Sequence, residues 1–141
     1  DLLSHKPHFN LYDPDWPLRT YMAQYPPAKM IRGEQEGAAR ELKGKVSNSI
    51  ISPGCIIDGA KVRNCVLSPG VYIAPGAEVE DSIIMHRTRI GANCRGRRTL
   101  IDQDVNIGPA RTVGHDQQRD REHFMISASG IVLVPKGYRL E

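Results

Sequence analysis

Aliphatic residues recur along the middle of this chain with a period of 17 residues. Four consecutive stretches, 48–64, 65–81, 82–98 and 99–115, align without gaps. The third, ninth and fifteenth positions of each stretch are aliphatic, with Gly96 as the one exception. The aligned sets are Ile50, Leu67, Ile84 and Ile101; Ile56, Ile73, Ile90 and Ile107; and Val62, Val79, Gly96 and Val113. Apolar residues six apart, three per repeat, predict an all-β fold, a parallel β-helix in which each side of a three-sided coil buries one of them.

The positions between these columns predict corners and a second interior layer. One aligned position holds residues that tolerate the left-handed backbone of a sharp corner, namely Gly59, Gly76 and Asn93. We expect the residue four places after each aliphatic to turn inward too, at Gly54, Val71, Thr88, Val105, Ala60, Ala77, Cys94, Val66, Ile83 and Leu100. Arg111 breaks this pattern. A buried arginine is costly unless it is paired, so the coil is expected to end or open there.

Charged residues one coil apart alternate in sign. Strands about 4.8 Å apart would turn such columns into ladders of ion pairs, each contributing roughly 0.2–1 kcal/mol. The expected ladders are Lys61, Glu78 and Arg95; Arg63, Glu80 and Arg97; Asp81 with Arg98; and Arg87 with Asp104.

The flanks lack the repeat, which divides the chain into a lead-in of residues 1–32 and a β-helix domain of residues 33–141. Asp15 followed by Pro17 predicts a helix start, so we expect a partly helical lead-in. Its aromatic residues are expected to pack it against the coil, through Trp16, Tyr21 and Tyr25. Residues 33–45 and 117–122 are expected to be loops, and residues 131–134 a final buried strand.

Charge, cysteine spacing and hydropathy limit the classes of function that the chain can have. The net charge of +3 permits anionic ligands but does not favour nucleic-acid binding. Three cysteines without CxxC spacing indicate reduced thiols. No apolar run is long enough to cross a bilayer and no signal-peptide pattern is present, so we expect a cytoplasmic protein with no membrane partner. His86 and His115 fall on different sides of the coil, so no metal site is expected.

Several segments resemble one enzyme family, glucose-1-phosphate adenylyltransferase (ADP-glucose pyrophosphorylase). The lead-in residues 10–13, 16–21 and 26–29 resemble the junction between that enzyme's two domains. Residues 49–55, 82–85, 97–102 and 129–134 resemble its C-terminal left-handed β-helix. Left-handedness is therefore expected from the resemblance, since parallel crossovers are generally right-handed.

The resemblance implies a nucleotidyltransferase that makes ADP-glucose and pyrophosphate from ATP and glucose 1-phosphate, with Mg²⁺, for glycogen synthesis. It places the catalytic residues in an N-terminal domain. No Gly-rich phosphate loop occurs in this sequence, so the chain alone is expected to be inactive. The β-helix domain would contact its own catalytic domain, assemble a homotetramer and respond to small anionic metabolites.

Three sets of residues are candidates for an effector site. Arg95, Arg97 and Arg98 surround Gly96 and suit phosphate, and Arg97 aligns with an arginine that family members use for a phosphorylated activator. The alternative is that these arginines only pair with Glu78, Glu80 and Asp81 one coil away.

The other candidates lie at a corner and near the C-terminus. The backbone at Ser52 and Gly54 resembles a loop that receives a small carboxylate, and a plain structural corner is the alternative. Arg119, Arg121 and His123 lie in the tail segment, near Phe124, in which sugar-bisphosphate-activated members of the family carry arginines. At the positions that match those arginines this chain has Glu122 and Ile126, which argues against fructose 1,6-bisphosphate as the effector.

Two other functions stay open. One is the assembly module of a different sugar-1-phosphate nucleotidyltransferase, such as a GDP-mannose or UDP-N-acetylglucosamine enzyme. The other is a hexapeptide-repeat acyltransferase, which would need a catalytic histidine and a pocket for an acyl carrier.

Overall fold

Three parallel β-sheets form the three sides of a β-helix. The computed structural model describes residues 1–18, 21, 23–33 and 44–141. Within them the elements, in chain order, are β1 (Lys29–Ile31), β2 (Lys45–Ser47), β3 (Ile50–Ile51), β4 (Ile56–Asp58), β5 (Lys61–Arg63), β6 (Val66–Leu67), β7 (Tyr72–Ile73), β8 (Glu78–Glu80), β9 (Ile83–Ile84), β10 (Arg89–Ile90), β11 (Arg95–Arg97), β12 (Thr99–Ile101), β13 (Asn106–Ile107), β14 (Thr112–Val113), α1 (Gln117–Arg121), β15 (Met125–Ile126), β16 (Val132–Val134) and β17 (Arg139–Leu140).

Each full coil contributes one strand to each sheet. One sheet runs β1-β4-β7-β10-β13-β17, the second β14-β11-β8-β5-β2, and the third β15-β16-β12-β9-β6-β3. All pairings are parallel except that of β15 with β16. As far as β14, strands three apart in chain order are therefore neighbours, as the 17-residue period predicts. The first strand, β1, lies within residues 1–32, the segment assigned to the lead-in.

The prediction for the first repeat was wrong by one residue. Ile73 is paired with Ile57, which is buried, whereas Ile56 is 37% exposed. On the next side Leu67 likewise pairs with Ile51 rather than Ile50. The first coil is one residue shorter because the corner between Ile57 and Val62 has four residues, where later coils have five. From Leu67 onward the 17-residue register is confirmed.

The second interior layer follows the corrected register. Cys55 is fully buried in the place predicted for Gly54. On the side formed by β6, β9 and β12 the inward residue comes three places after the aliphatic, because this corner is tighter. The buried residues there are Cys65, Ser82 and Thr99. The predicted Val66, Ile83 and Leu100 were wrong and face outward.

Corners of the coil use positive φ in three stacked columns. Gly59, Gly76 and Asn93 have φ of 55°, 72° and 57°, which confirms the predicted corner. A second column contains asparagine and aspartate, whose short polar side chains tolerate this conformation. Here Asn48 donates to Asn64 over 3.0 Å, and Asn64 donates to Asp81 over 2.7 Å, so the corner forms its own hydrogen-bonded ladder.

Arg111 perturbs the coil without ending it. The strand β14 follows it directly and still pairs with β11. The regular winding stops afterwards, where α1 replaces the loop predicted for residues 117–122. Asp116 caps this helix by accepting from the backbone N–H groups of Gln118 and Arg119. The predicted strand at 131–134 is confirmed as β16, with Val132 and Val134 buried.

The lead-in segment packs on the coil through Tyr25. A Cβ added to Gly54 would lie 2.6 Å from the Tyr25 ring, so only glycine allows this contact. The predicted packing of Trp16 and Tyr21 was wrong: they are 65% and 94% exposed, and Trp16 stacks edge-on against Phe9.

The described residues of the lead-in contain no helix, so the prediction of one after Asp15 was wrong for Pro17, Leu18 and Tyr21. The backbone N–H of Asp15 donates to the Asp13 carboxylate, which favours a turn over a helix start. Residues 19, 20 and 22 of that prediction, and residues 34–43 of the predicted loop, lie outside the described part.

Candidate anion-binding face

Charged side chains cover the outer surface of the sheet formed by β2, β5, β8, β11 and β14. Hydrophobic residues of these strands alternate inward, so their neighbours face solvent. Lys61 donates to Glu78 over 2.6 Å, and Arg63 donates to Glu80 over 2.8 Å. These two predicted pairs are confirmed. The Lys61 hydrogen bond also lowers the pKa of the Glu78 carboxyl.

Arg95 and Arg97 extend this face by one strand. They lie on β11 on either side of the inward Gly96, in register with Glu78 and Glu80. Neither guanidinium has a hydrogen-bond partner among the described residues, and the glutamates in register with them accept from Lys61 and Arg63 on β5. Arg97 forms an ion pair with Asp81 at 3.7 Å, which is too long for a hydrogen bond. Both arginines therefore offer several donors to an anion from solvent.

Arg98 does not join this pair. It occupies a corner with φ of 52°, and its Nη2 donates to the carbonyl oxygen of Ser129. The predicted pair of Asp81 with Arg98 was wrong, since Asp81 accepts from Asn64. Arg87 and Asp104 do pair as predicted, through two hydrogen bonds of 2.7 and 2.9 Å.

Arg121 and His123 lie at and just after the end of α1, and both are exposed. His123 contacts the neighbouring Phe124 ring, with centroids 6.1 Å apart. These two candidates therefore lie at and after α1, whereas Arg95 and Arg97 lie on β11.

The corner at Ser52 and Gly54 is occupied by internal hydrogen bonds. The N–H of Ser52 donates to Leu67, and that of Gly54 donates to the carbonyl of Pro26 in the lead-in. Pro53 has no N–H to offer. These contacts favour the structural corner over an anion nest, and they tie the lead-in to the coil.

His115 is a neighbour of the charged face that the sequence analysis did not single out as an anion ligand. It lies at the corner after β14, within electrostatic range of the Glu78 and Asp120 carboxyls. The sequence signal for it is its position one coil beyond Arg98.

The described residues give little support for metal binding, thiol chemistry or membrane insertion. They contain no group of three histidine, cysteine, aspartate or glutamate side chains that could hold a metal ion. Cys55, Cys65 and Cys94 are buried free thiols. No helix among them is long and apolar enough to cross a membrane.

The fold and its repeat define the class of hexapeptide-repeat β-helix proteins, and comparison with known proteins agrees with that class. Residues 26–134 match the family described as GlmU-like, C-terminal hexapeptide, and the chain belongs to that family. Its sequence is also similar to curated proteins named glucose-1-phosphate adenylyltransferase. The one from Koribacter versatilis is 44% identical over 140 residues, covering 99% of this chain and 32% of the relative.

Other relatives of the same name show the same coverage. The protein from Anaeromyxobacter sp. is 39% identical over 142 residues, covering 100% of this chain and 34% of its own length. That from Deinococcus radiodurans is 39% identical over 139 residues, covering 98% and 32%. The chain thus spans about a third of the curated relatives it matches. The matching third is their C-terminal part.

Proposed function

We propose that this chain is the C-terminal regulatory and assembly domain of a cytoplasmic glucose-1-phosphate adenylyltransferase. The whole enzyme would transfer the adenylyl group of ATP to glucose 1-phosphate, forming ADP-glucose and pyrophosphate. The observation that carries the proposal is the 44% identity to a relative of that name across 99% of the chain. The junction-like lead-in, held to the coil by Tyr25 and by the Pro26 carbonyl, adds support.

The catalytic chemistry belongs to the part of the protein outside this chain. Mg²⁺ would neutralise phosphate charge in the reaction, and the described residues do not form a site for it. This domain would instead bring subunits together into a homotetramer, contact its own catalytic domain and bind a small anionic effector. Arg95 and Arg97 are the residues best placed for the effector, because their donors face solvent side by side.

A chimera tests the proposal. The matched C-terminal third of the Koribacter versatilis relative is replaced by this chain, and formation of ADP-glucose from ATP and glucose 1-phosphate is measured. We expect activity within about tenfold of the unaltered relative. The control is the same relative carrying a β-helix of similar length from an acyltransferase, which should be inactive.

A folded but inactive chimera, beside an active relative whose own third was re-joined in the same way, would overturn the proposal. Consumption of acetyl-CoA by the 141-residue chain would instead favour the acyltransferase.

A further inference from the structure

The end of the lead-in, residues 25–31, continues the coil by one incomplete turn. At one corner of the coil the backbone N–H of each left-handed residue donates to a carbonyl in the corner of the preceding turn, from Gly70 to Pro53, Arg87 to Pro69, Asp104 to His86 and Gly137 to Gln103. The N–H of Gly54 donates in the same way to the Pro26 carbonyl, over 2.6 Å. The strand β1 then pairs with β4 as later strands pair with one another. Pro26 therefore stands where a preceding turn of the coil would supply its corner.

The Tyr25 side chain fills a notch on this corner. Gly54 and Gly70 form the notch, and they follow one another in the corner column with φ of 76° and 74°. A Cβ on Gly54 would lie 2.6 Å from Cδ1 of the tyrosine ring, and a Cβ on Gly70 would lie 3.3 Å from its Cε1. The ring thus runs along the corner across two turns of the coil. A side chain at Gly54 would occupy the space that the ring fills.

Arg87 closes the far end of the notch. It is the next residue of the corner column and the first that is not glycine, with a left-handed φ of 56°. Its guanidinium interacts with the Tyr25 hydroxyl and donates two hydrogen bonds, of 2.7 and 2.9 Å, to the Asp104 carboxylate. Two parallel hydrogen bonds to a carboxylate fix the orientation of a guanidinium. The tyrosine hydroxyl therefore meets a cation that is held in place from its other side.

We propose that Tyr25 is a latch that holds the end of the lead-in on the coil as a fixed arm. With the ring in the notch, the chain that precedes Tyr25 leaves the coil in one orientation. With the ring out of the notch, the same chain would be a flexible linker. The latch goes beyond the proposed function and does not depend on it, because all of its contacts lie within this chain.

Amide hydrogen exchange of the 141-residue chain tests the latch. The N–H groups of Lys29 and Gly54 form two of the hydrogen bonds between the lead-in and the coil. Tyr25→Ala should accelerate the exchange of both about tenfold or more, because local detachment of the lead-in then exposes them more often. The N–H of Tyr72, which is bonded within the coil, should exchange at an unchanged rate and establishes that the variant is folded.

Two glycine substitutions separate filling of the notch from backbone strain. Gly54 and Gly137 both have positive φ in the same corner column, but a Cβ on Gly137 would have nothing within 4 Å. Both Gly54→Ala and Gly137→Ala should lower the melting temperature, and Gly54→Ala should lower it by about 5 °C more. This additional loss should disappear in the Tyr25→Ala background, because no ring is then displaced.

The orientation of the arm can be measured between two spin labels. Ala23→Cys lies just before the latch and Asn106→Cys lies on β13, and both positions are exposed, whereas the native cysteines are buried. Double electron–electron resonance should give one narrow distance distribution. Tyr25→Ala should make the distribution about twofold wider or more, and Gly137→Ala should leave it unchanged.

Unchanged exchange at Lys29 in Tyr25→Ala would overturn the latch, as would equal losses of melting temperature in Gly54→Ala and Gly137→Ala. A distance distribution that is equally wide with and without Tyr25 would overturn the fixed orientation. An inactive chimera would refute the proposed function and leave these three measurements to decide the latch.

Discussion

Gly96 and Arg111 line the same small cavity inside the coil. Gly96 takes the inward position that Val79 and Val113 fill in neighbouring coils, and the Nε of Arg111 is buried there without a hydrogen-bond partner. The missing side chain of one residue thus leaves space beside the long side chain of the other. The cavity lies directly behind the strand that carries Arg95 and Arg97.

Gly96→Ala should stabilise the protein. An added Cβ would meet only Val79 Cγ1, at 3.7 Å, which is ordinary van der Waals contact. Alanine also loses less backbone entropy than glycine on folding, so we expect a gain of about 0.5–1 kcal/mol in the free energy of unfolding measured with urea. Gly114→Ala is the control and should be strongly destabilising, because its Cβ would overlap the Arg97 carbonyl at a φ of 85°. A loss of stability in Gly96→Ala would show that the cavity is not open to a methyl group.

The corrected register of the first coil gives a second test. Ile57→Asp places a carboxylate in the core and should cost about 3 kcal/mol or more. Ile56→Asp, one residue earlier and partly exposed, should cost about 1 kcal/mol or less. Equal losses of unfolding free energy in the two variants would contradict the observed pairing of Ile57 with Ile73.

This one-residue error shows what the sequence pattern could and could not predict. From Leu67 onward the inward positions of the regular coils recur every 17 residues, and this period alone predicts the fold. Ile50-Ile51 and Ile56-Ile57 are pairs of identical residues, so polarity cannot decide which member faces inward. The length of the corner between Ile57 and Val62 decides which isoleucine of each pair faces inward. The residue types in that corner do not indicate its length.

On the third side of the coil the sequence prediction was wrong for a related reason. Ile83 and Leu100 are more hydrophobic than the buried Ser82 and Thr99, so a burial rule favours the wrong residues. The hydroxyl of Thr99 lies 3.0 Å from that of Ser82, and this hydrogen bond satisfies both groups inside the coil. The apolar residues are left for the outer surface. The expectation of left-handed winding likewise rests on the family resemblance, since the 17-residue period does not determine the handedness of the coil.

The candidate site was predicted in part. Arg95 and Arg97 do share an open face, because Gly96 between them turns inward. The placement of the Arg98 side chain depends on its hydrogen bond to the carbonyl oxygen of Ser129, which lies 31 residues further along the chain. A long-range contact of this kind has no signature in the repeat.

Stability should depend on pH through Asp120. Burial raises the pKa of this carboxyl, while its hydrogen bond from the Gly114 N–H acts in the opposite direction. A carboxyl whose pKa is higher in the folded state stabilises the fold below its unfolded pKa, and that contribution is lost as pH rises through the folded pKa. Asp120→Asn keeps an acceptor for Gly114 but cannot ionise. Relative to the wild type, it should therefore become more stable as pH rises from about 3.5 to about 7. The opposite trend in thermal melts would contradict this assignment.

The three cysteines should not react in the folded protein. Each Sγ is buried and hydrogen-bonded to a backbone carbonyl, with the acceptors in Ser68, Arg63 and Gly108 for Cys55, Cys65 and Cys94. Burial raises all three thiol pKa values, that of Cys65 to about 11, so little thiolate is present at neutral pH. A thiol reagent should label the chain at all three sites in denaturant and at none without it. Rapid labelling of native protein would contradict the buried placement.

The effector response of the chimera is the decisive measurement for a regulatory anion site on β11. Rates of ADP-glucose formation are measured against fructose 1,6-bisphosphate, pyruvate and inorganic phosphate, with Arg97→Ala compared to the parent chimera and to Arg139→Ala on another face. We expect Arg97→Ala to keep a basal rate within about twofold of the parent and to raise the half-saturating concentration of the active effector about tenfold or more, whereas Arg139→Ala should change neither. Superimposable curves for Arg97→Ala and the parent would contradict an effector role and leave these arginines as neighbours in an ion-pair ladder.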